Sequence, residues 1–576
     1  MKKRILSIIL AISIILAGLC QPISAIATSI PTNEEKISNY LTAEDLSPRE
    51  DEDSHYISAL IELDYSIPSS IIENDTFSDE MTSDEVSQEI IRRRDTMRDF
   101  FKEKNESVVS DLDLGDFSYA VSWGAPYIEV FFEDFEEYSM KSEELFDAID
   151  NNAEIQKATI TGIEMSSTAA QNPSSYQYDY YYDSVLSDVG LNHATATGAG
   201  LNIGILESGI PDTPSKFNAS QYTAIGNYAT DHATSVGCLI ADIASDANLY
   251  FMGVKKIENN ALVTLSLTSC INVLIYTYYV DIINISMTYG SPNGQYNSYC
   301  KYIDSLISSS NCMIVIAAGN ESTDTSNGSI VSPGCAMNAI TVGSIDKNKK
   351  LSCFSSTQTL STETYLFKPD MVAPGGRIIE FPNHHPGDRF NGTSYAAPIV
   401  TSIAILLMED FPILRLEPAI LKSILQASCE KVYAQSSVYD NLAGYGLVNY
   451  ENAYNCFANV NYRPFNIDPN DANGSNVITL RVTLNPWETI DVAAFWLICQ
   501  WNNTNKPTFT KATATIMDSN CQLLYETGIY YSNFSALSYT NEDYSPVTIT
   551  ITVTLLETKA SGTPTEYGAF AYKIYE

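Results

Sequence analysis

The rhythm of apolar and polar residues changes along this chain, and each change predicts a different architecture. Between residues 55 and 165, strand and helix patterns are mixed. HYISALIELDY predicts a strand. TSDEVSQEIIRRRDTMRDFFKEKN predicts an amphipathic helix opened by a Thr/Ser cap with Glu85 just beyond. SYAVSWGAPYIEVFFED predicts a hairpin turning at Gly124-Ala125-Pro126. A short helix over SEELFDAIDNNA and a last strand over IQKATITGI complete a small, highly charged α+β module. From 185 to 458 short apolar runs take over: LNIGIL, LYFMGV, DIINISM, CMIVIAA and AITVG. Such runs suit buried parallel strands, and their alternation with helical stretches predicts a doubly wound α/β sheet. From 459 to 576 the helices stop. VITLRVTLN, DVAAFWLICQWN, KATATIMDS and VTITITVTLLE alternate at period two, which predicts a β-sandwich or jelly roll.

The remaining segments are polar, except the first. Residues 1–27 carry a basic start, an apolar stretch and small residues, which is the pattern of a secretory signal with Ala25-Ile26-Ala27 as its cleavage site. A lipid anchor on Cys20 fits less well, because Leu19 stands where a small residue is expected. No later run reaches the roughly 18 apolar residues of a spanning helix, so no stable transmembrane anchor is expected and the protein should be secreted, extracellular or cell-surface associated. Residues 28–54 form an acidic leader. Residues 166–184, rich in Ser and Tyr, read as an exposed linker. The formal charge of −38 argues against nucleic acid as a partner, because phosphate binding needs a basic surface. The cysteines beyond Cys20 are scattered without a CxxC pair, which argues against a zinc cluster. Cys238, Cys312 and Cys353 lie in apolar runs and read as buried thiols. Cys499 and Cys521 are the first pair expected to form a disulfide.

Three side chains in the α/β region suggest chemistry. Glu207 ends the LNIGIL strand, and ligands gather at the carboxyl ends of strands in such sheets. His232 opens DHATSVGCLIADIA, where Val236, Leu239, Ile240 and Ile243 follow helical spacing. Of the other histidines, His55 is in the leading module, His193 precedes the first strand, and His384 and His385 share a Pro/Gly loop. Ser394, in FNGTSYAAPIV, begins a helix with Pro398 expected in its first turn. The small residues around Ser394 bring a helix N-terminus, with its free amides, up to the hydroxyl. A serine becomes a nucleophile beside a base, and the base works best when an acid fixes its tautomer. Glu207, His232 and Ser394 supply that set. Asp231 and Asp212 are alternative carboxylates, but neither ends the strand.

Here the chain resembles the subtilases, the subtilisin-like serine proteases. GTSYAAP matches the family's nucleophile motif. HATSV, ESG and AAGNE align with its histidine, acid and oxyanion motifs, NISMTYG with its substrate-binding strand, and KPDMVAPG with the stretch before the nucleophile. The resemblance spans about residues 190–458. It implies a secreted serine endopeptidase acting on polypeptides through Glu207, His232 and Ser394, with Asn320 donating to the oxyanion. Ser286, Met287, Thr288, Gly290, Ala317, Ala318 and Gly319 would line the substrate, which should add as a β-strand. The module at 55–165 resembles the family's propeptides in pattern only, and residues about 28–180 are expected to be a removable propeptide that inhibits its own enzyme. The family resemblance allows calcium as an ion, with no liganding loop identified, and no other cofactor. Three departures stand out: Glu207 replaces the family's Asp, and Ala233 and Ser235 replace Gly and His after the histidine. They motivate the rival reading of a weak or inactive scaffold that binds peptide or a surface.

Overall fold

The middle of the chain folds around seven parallel strands, in the order Tyr222–Ile225, Asn248–Gly253, Asn202–Glu207, Ile282–Ile285, Met313–Ala317, Ile340–Ile345 and Met371–Pro374. The structure, a computed structural model, describes residues 37–38 and 56–576 except 66–67, 69–70, 72–76, 79, 133–134, 164, 167–177, 219, 259–260, 290–293, 324–327, 359–366, 382–387, 468–476, 499–510, 519–521, 527–529, 532 and 556–565. The signal, nearly all of the leader, most of the linker, Gly290, His55, His384, His385, Cys499 and Cys521 therefore lie outside the described residues.

Five of the seven strands fall on the apolar runs of the sequence. Their side chains are nearly all buried, as expected of strands covered on both faces. The other two strands gave no such signal. Tyr222–Ile225 is a half-buried edge, and Met371–Pro374 is only four residues long. Asn202–Glu207 comes first in the sequence but third in the sheet, between Asn248–Gly253 and Ile282–Ile285. That reversal of order opens a crevice at its carboxyl end, where Glu207 sits. Helices Asp231–Ile243 and Thr393–Asp410 pack on each other, and the second also lies against the sheet.

The N-terminal module is a sheet in the order Ile37–Ser38, Ile155–Ile163, Tyr56–Leu63, Tyr127–Phe132, Ser118–Val121, with helices Ser83–Leu112 and Phe135–Asn151. The first helix runs past the expected stop because Val108, Val109 and Leu112 continue its buried stripe. It ends at Asp113, whose φ is 52°. Its start is a reciprocal cap: Glu85 N–H donates to Thr82 Oγ1 at 3.3 Å and Thr82 N–H donates to Glu85 Oε2 at 2.8 Å.

The module rests on helices Leu267–Tyr276 and Ser298–Ser310 through buried polar groups. Glu129 Oε2 accepts from Ser266 Oγ at 2.5 Å and Thr268 N–H at 3.2 Å, and Oε1 accepts from Tyr299 OH at 3.0 Å. Glu62 Oε1 accepts from Ser298 Oγ at 3.0 Å. Both carboxylates therefore sit at positive helix N-termini. Arg94, fully buried, donates to the carbonyls of Ser310 at 3.0 Å and Val280 at 2.8 Å, near the opposite ends of the two helices.

Beyond residue 459 two antiparallel sheets face each other. One holds Tyr462–Ile467, Glu566–Tyr575, Thr489–Trp496 and Phe534–Thr540. The other holds Val477–Leu484, Val547–Leu555, Lys511–Asp518 and Leu523–Glu526, with Tyr530–Tyr531 alongside. Leu484, Ile490, Val492, Trp496, Ile516, Ile549 and Phe570 share the core between them. The first sheet also covers helix Pro418–Ala427, sending Ala493, Phe495, Ala569 and Ala571 into the main core. Burial on both faces explains why VAAFW reads as a continuous apolar run.

Candidate active site

The strand Asn202–Glu207 delivers a fully buried carboxylate to the crevice. Beside it, Thr230 caps helix Asp231–Ile243 by accepting from Ala233 N–H at 3.2 Å, which fixes His232 in the first turn. His232 Nδ1 lies 3.1 Å from Glu207 Oε2. The alternative carboxylates are engaged elsewhere or exposed. Asp212 Oδ1 accepts from Thr234 Oγ1 at 2.7 Å, and Asp231 faces outward from the helix start. Glu207 Oε1 and His232 Nε2 are both buried without a hydrogen-bond partner. Nε2 therefore does not bond Ser394 in this conformation. Catalytic hydrogen bonds of this kind are often long until substrate is bound.

Ser394 is the second residue of helix Thr393–Asp410 and is only 4% exposed. Gly392, at φ 152°, makes the turn into that helix. The next ring, Tyr395, packs 5.8 Å from the His232 ring and 5.3 Å from Phe390, so the helix start touches the imidazole directly. Burial, with Asp231 and Glu207 nearby, pushes the Tyr395 phenol well above its usual range and keeps it neutral. Pro398 lies one turn deeper than expected, inside the helix. Lacking an N–H, it leaves the Ser394 carbonyl without the usual bond from four residues on.

Asn320 follows the strand Met313–Ala317. Its Oδ1 accepts from Thr393 N–H at 2.9 Å and Thr393 Oγ1 at 3.2 Å. With the oxygen held, the amide nitrogen is turned toward Gly392, where an added Cβ would sit 3.6 Å from Nδ2. The small residues before Asn320 have structural roles too. Gly319 has φ 104°, and a Cβ there would come within 2.7 Å of Val331.

Ser286 and Met287, expected within the DIINISM strand, lie just past the shorter strand Ile282–Ile285, and Thr288 opens the separate two-residue strand Thr288–Tyr289. Asn284 Nδ2 donates to Ser286 Oγ at 2.8 Å while its Oδ1 accepts from Thr401 Oγ1 at 3.0 Å, which ties this strand to the nucleophile's helix. Thr288–Tyr289 pairs antiparallel with Met165–Ser166, the end of the N-terminal module. Cys238 and Cys312 are buried, but Cys353 is only partly so. Among the described residues no group of three or more His, Cys, Asp or Glu side chains could hold a metal, so the acidic composition does not translate into a cation cluster there. Among them, too, no helix is long and apolar enough to cross a membrane.

The model of the subtilase family matches residues 120–446, a span that contains Glu207, His232, Asn320 and Ser394. The chain belongs to the subtilase family. As a subtilase it is a serine endopeptidase, a hydrolase acting on polypeptides. It is 26% identical to subtilisin DY of Bacillus licheniformis over 233 residues, 38% of this chain and 80% of that one. It is 32% identical to serine protease AprX of Bacillus subtilis (strain 168) over 164 residues, 25% of this chain and 36% of that one. Among solved structures, fervidolysin of Fervidobacterium pennivorans, a keratinolytic enzyme, aligns over 91% of this chain and 93% of its own, at 13% identity and a TM-score of 0.47.

Proposed function

We propose that this subtilase is a secreted endopeptidase with a Glu-His-Ser triad, made as a zymogen. The observation that carries the triad is the buried Glu207–His232 pair, which leaves Nε2 unpaired beside the helix of Ser394. Ser394 Oγ attacks the scissile carbonyl while His232 Nε2 takes its proton. Glu207 holds Nδ1–H and stabilises the imidazolium. The Asn320 amide and the Ser394 N–H receive the charge on the tetrahedral oxygen, and His232 then gives its proton to the leaving amine. Water repeats the sequence on the acyl-enzyme. Every step uses water and groups of this chain, and none passes through calcium.

The zymogen reading is supported by Met165–Ser166 lying on Thr288–Tyr289. An extended segment paired to that edge occupies the path a substrate would take, so the attached module blocks its own site until the chain is cut after it. The rival, a weak or inactive scaffold, draws on the orphaned Glu207 Oε1 and the unbonded Nε2. Turnover decides between them. The processed protein should hydrolyse a chromogenic peptide, and Ser394→Ala should reduce hydrolysis to background. Equal, negligible rates in both would favour the scaffold.

A further inference from the structure

The far end of the C-terminal β-domain carries an exposed aromatic pair that the catalytic reading does not use. Loop 485–488 joins strands Val477–Leu484 and Thr489–Trp496. Loop 541–546 joins Phe534–Thr540 and Val547–Leu555. Trp487 and Tyr544 project from these loops, 53% and 90% exposed, with ring centroids 5.7 Å apart and planes at 89°. A tryptophan and a tyrosine so open to water represent apolar surface that folding has left uncovered.

The loops beneath them are rigidly built. Asn541, fully buried, staples the two together. Its carbonyl accepts from Trp487 N–H at 2.7 Å, its N–H donates to Glu488 O at 2.9 Å, and its Nδ2 donates to the carbonyls of Leu484 and Ser545 at 3.1 and 3.0 Å. Trp487 itself is held at φ 69°, a left-handed conformation that is an outlier for a bulky residue. Strain of that kind persists only where surrounding bonds enforce it, and it is most common at binding sites. The ring is displayed outward on a fixed mount.

The chemistry around the rings selects the partner. Glu488, Glu542 and Asp543 lie in these same two loops, which contain no Lys or Arg. Glu488 is fixed by accepting from Asn485 N–H at 2.7 Å, and Glu542 and Asp543 are exposed. Carboxylates repel phosphate, sulfate and anionic lipid headgroups. Aromatic π faces with carboxylates in the same loops attract cations, by cation–π contact and by charge. We propose that Trp487 and Tyr544 form a docking site for a basic segment of a polypeptide, taking a Lys or Arg side chain against the rings. Such a site lies outside the catalytic crevice and binds without turnover, so it stands or falls apart from the triad.

The test titrates a fluorescent oligo-D-lysine, which cannot be cleaved, into the full processed protein, with neutral oligosaccharide and anionic vesicles as parallel probes. The protein's overall negative charge attracts oligolysine anywhere on its surface. The decisive comparison is therefore Trp487→Ala, which leaves that charge unchanged. Binding should weaken about tenfold in Trp487→Ala. Glu542→Gln with Asp543→Asn, surface changes that spare the fold, should also weaken it, and added salt should reduce it in the wild type. Equal affinity in wild type and Trp487→Ala would overturn the proposal. So would binding of the oligosaccharide or vesicles in place of oligolysine, or no binding at all.

Discussion

At the scale of single residues the proposed triad rests on members that each sit at an element boundary, and such boundaries leave a pattern in the sequence. Glu207 closes an apolar run, His232 opens a helical one, and Ser394 lies among residues small enough for a helix end to approach. The departure at Glu207 is met by geometry: the longer side chain reaches His232 Nδ1 at 3.1 Å from a strand end. Glu207→Gln keeps the size but disturbs the tautomer, and kcat on a peptide substrate should fall about 10⁴-fold, the loss seen for the acid of comparable triads. Glu207→Asp should lower kcat less, by lengthening the same contact. A folded Gln variant within about tenfold of wild type would remove Glu207 from the triad. For Asn320→Ala, kcat should drop about 10²–10³-fold with the fold intact, a magnitude established on subtilisin itself. Wild-type kcat in that variant would leave Asn320 only its bond to Thr393. What the sequence hid at this scale were contacts between distant segments. Tyr395 against the His232 ring, Asn284 bridging Ser286 and Thr401, and Asn541 stapling two loops have no local signature.

Among the elements, pattern found those buried on both faces and missed those at edges. Tyr222–Ile225 is half exposed, so its residues carry no apolar run. Met371–Pro374 was legible only as part of a motif. The short helix expected over SEELFDAIDNNA begins earlier, at Phe135, because Phe135 and Tyr138 pack on the same apolar face. The acids of the module gave no hint of their task. Glu129 reads as a polar interruption in a strand, yet it is buried and accepts from Ser58, Ser266, Tyr299 and the Thr268 amide. Glu129→Ala strands those donors. In the unprocessed chain, kept intact by Ser394→Ala, it should lower stability to urea by about 3 kcal/mol or more. A change under about 1 kcal/mol would mean that apolar packing alone seats the module.

Across the whole molecule, two buried charges set an opposed dependence of stability on pH. Burial raises the Asp304 carboxyl to about 6, against the bonds it accepts from Tyr296 and the 337 and 338 amides. The native state thus holds that proton more tightly than the unfolded chain, and this contribution falls as pH rises from about 4 to 6. Burial lowers the Lys422 ammonium to about 7 despite Asp370 beside it. The unfolded chain then binds the extra proton, so stability rises with pH from about 7 toward 10. Denaturation followed across pH should show that alkaline rise, and Lys422→Met should remove it. An unchanged profile in the variant would assign the effect elsewhere. At this same scale, a zymogen blocked by Met165–Ser166 should be cut beyond that strand. N-terminal sequencing of secreted material should find a start between about 167 and 190, in or just past the polar linker. Full activity with a start near residue 28 would sink the zymogen reading. The central claim is that Ser394 is an activated nucleophile, and covalent labelling tests it most directly. Processed protein treated with a fluorophosphonate, digested and analysed by mass spectrometry should carry one adduct, on Ser394, and none in His232→Ala. Folded wild-type protein that takes up no label, or takes it up on another residue, would contradict the account.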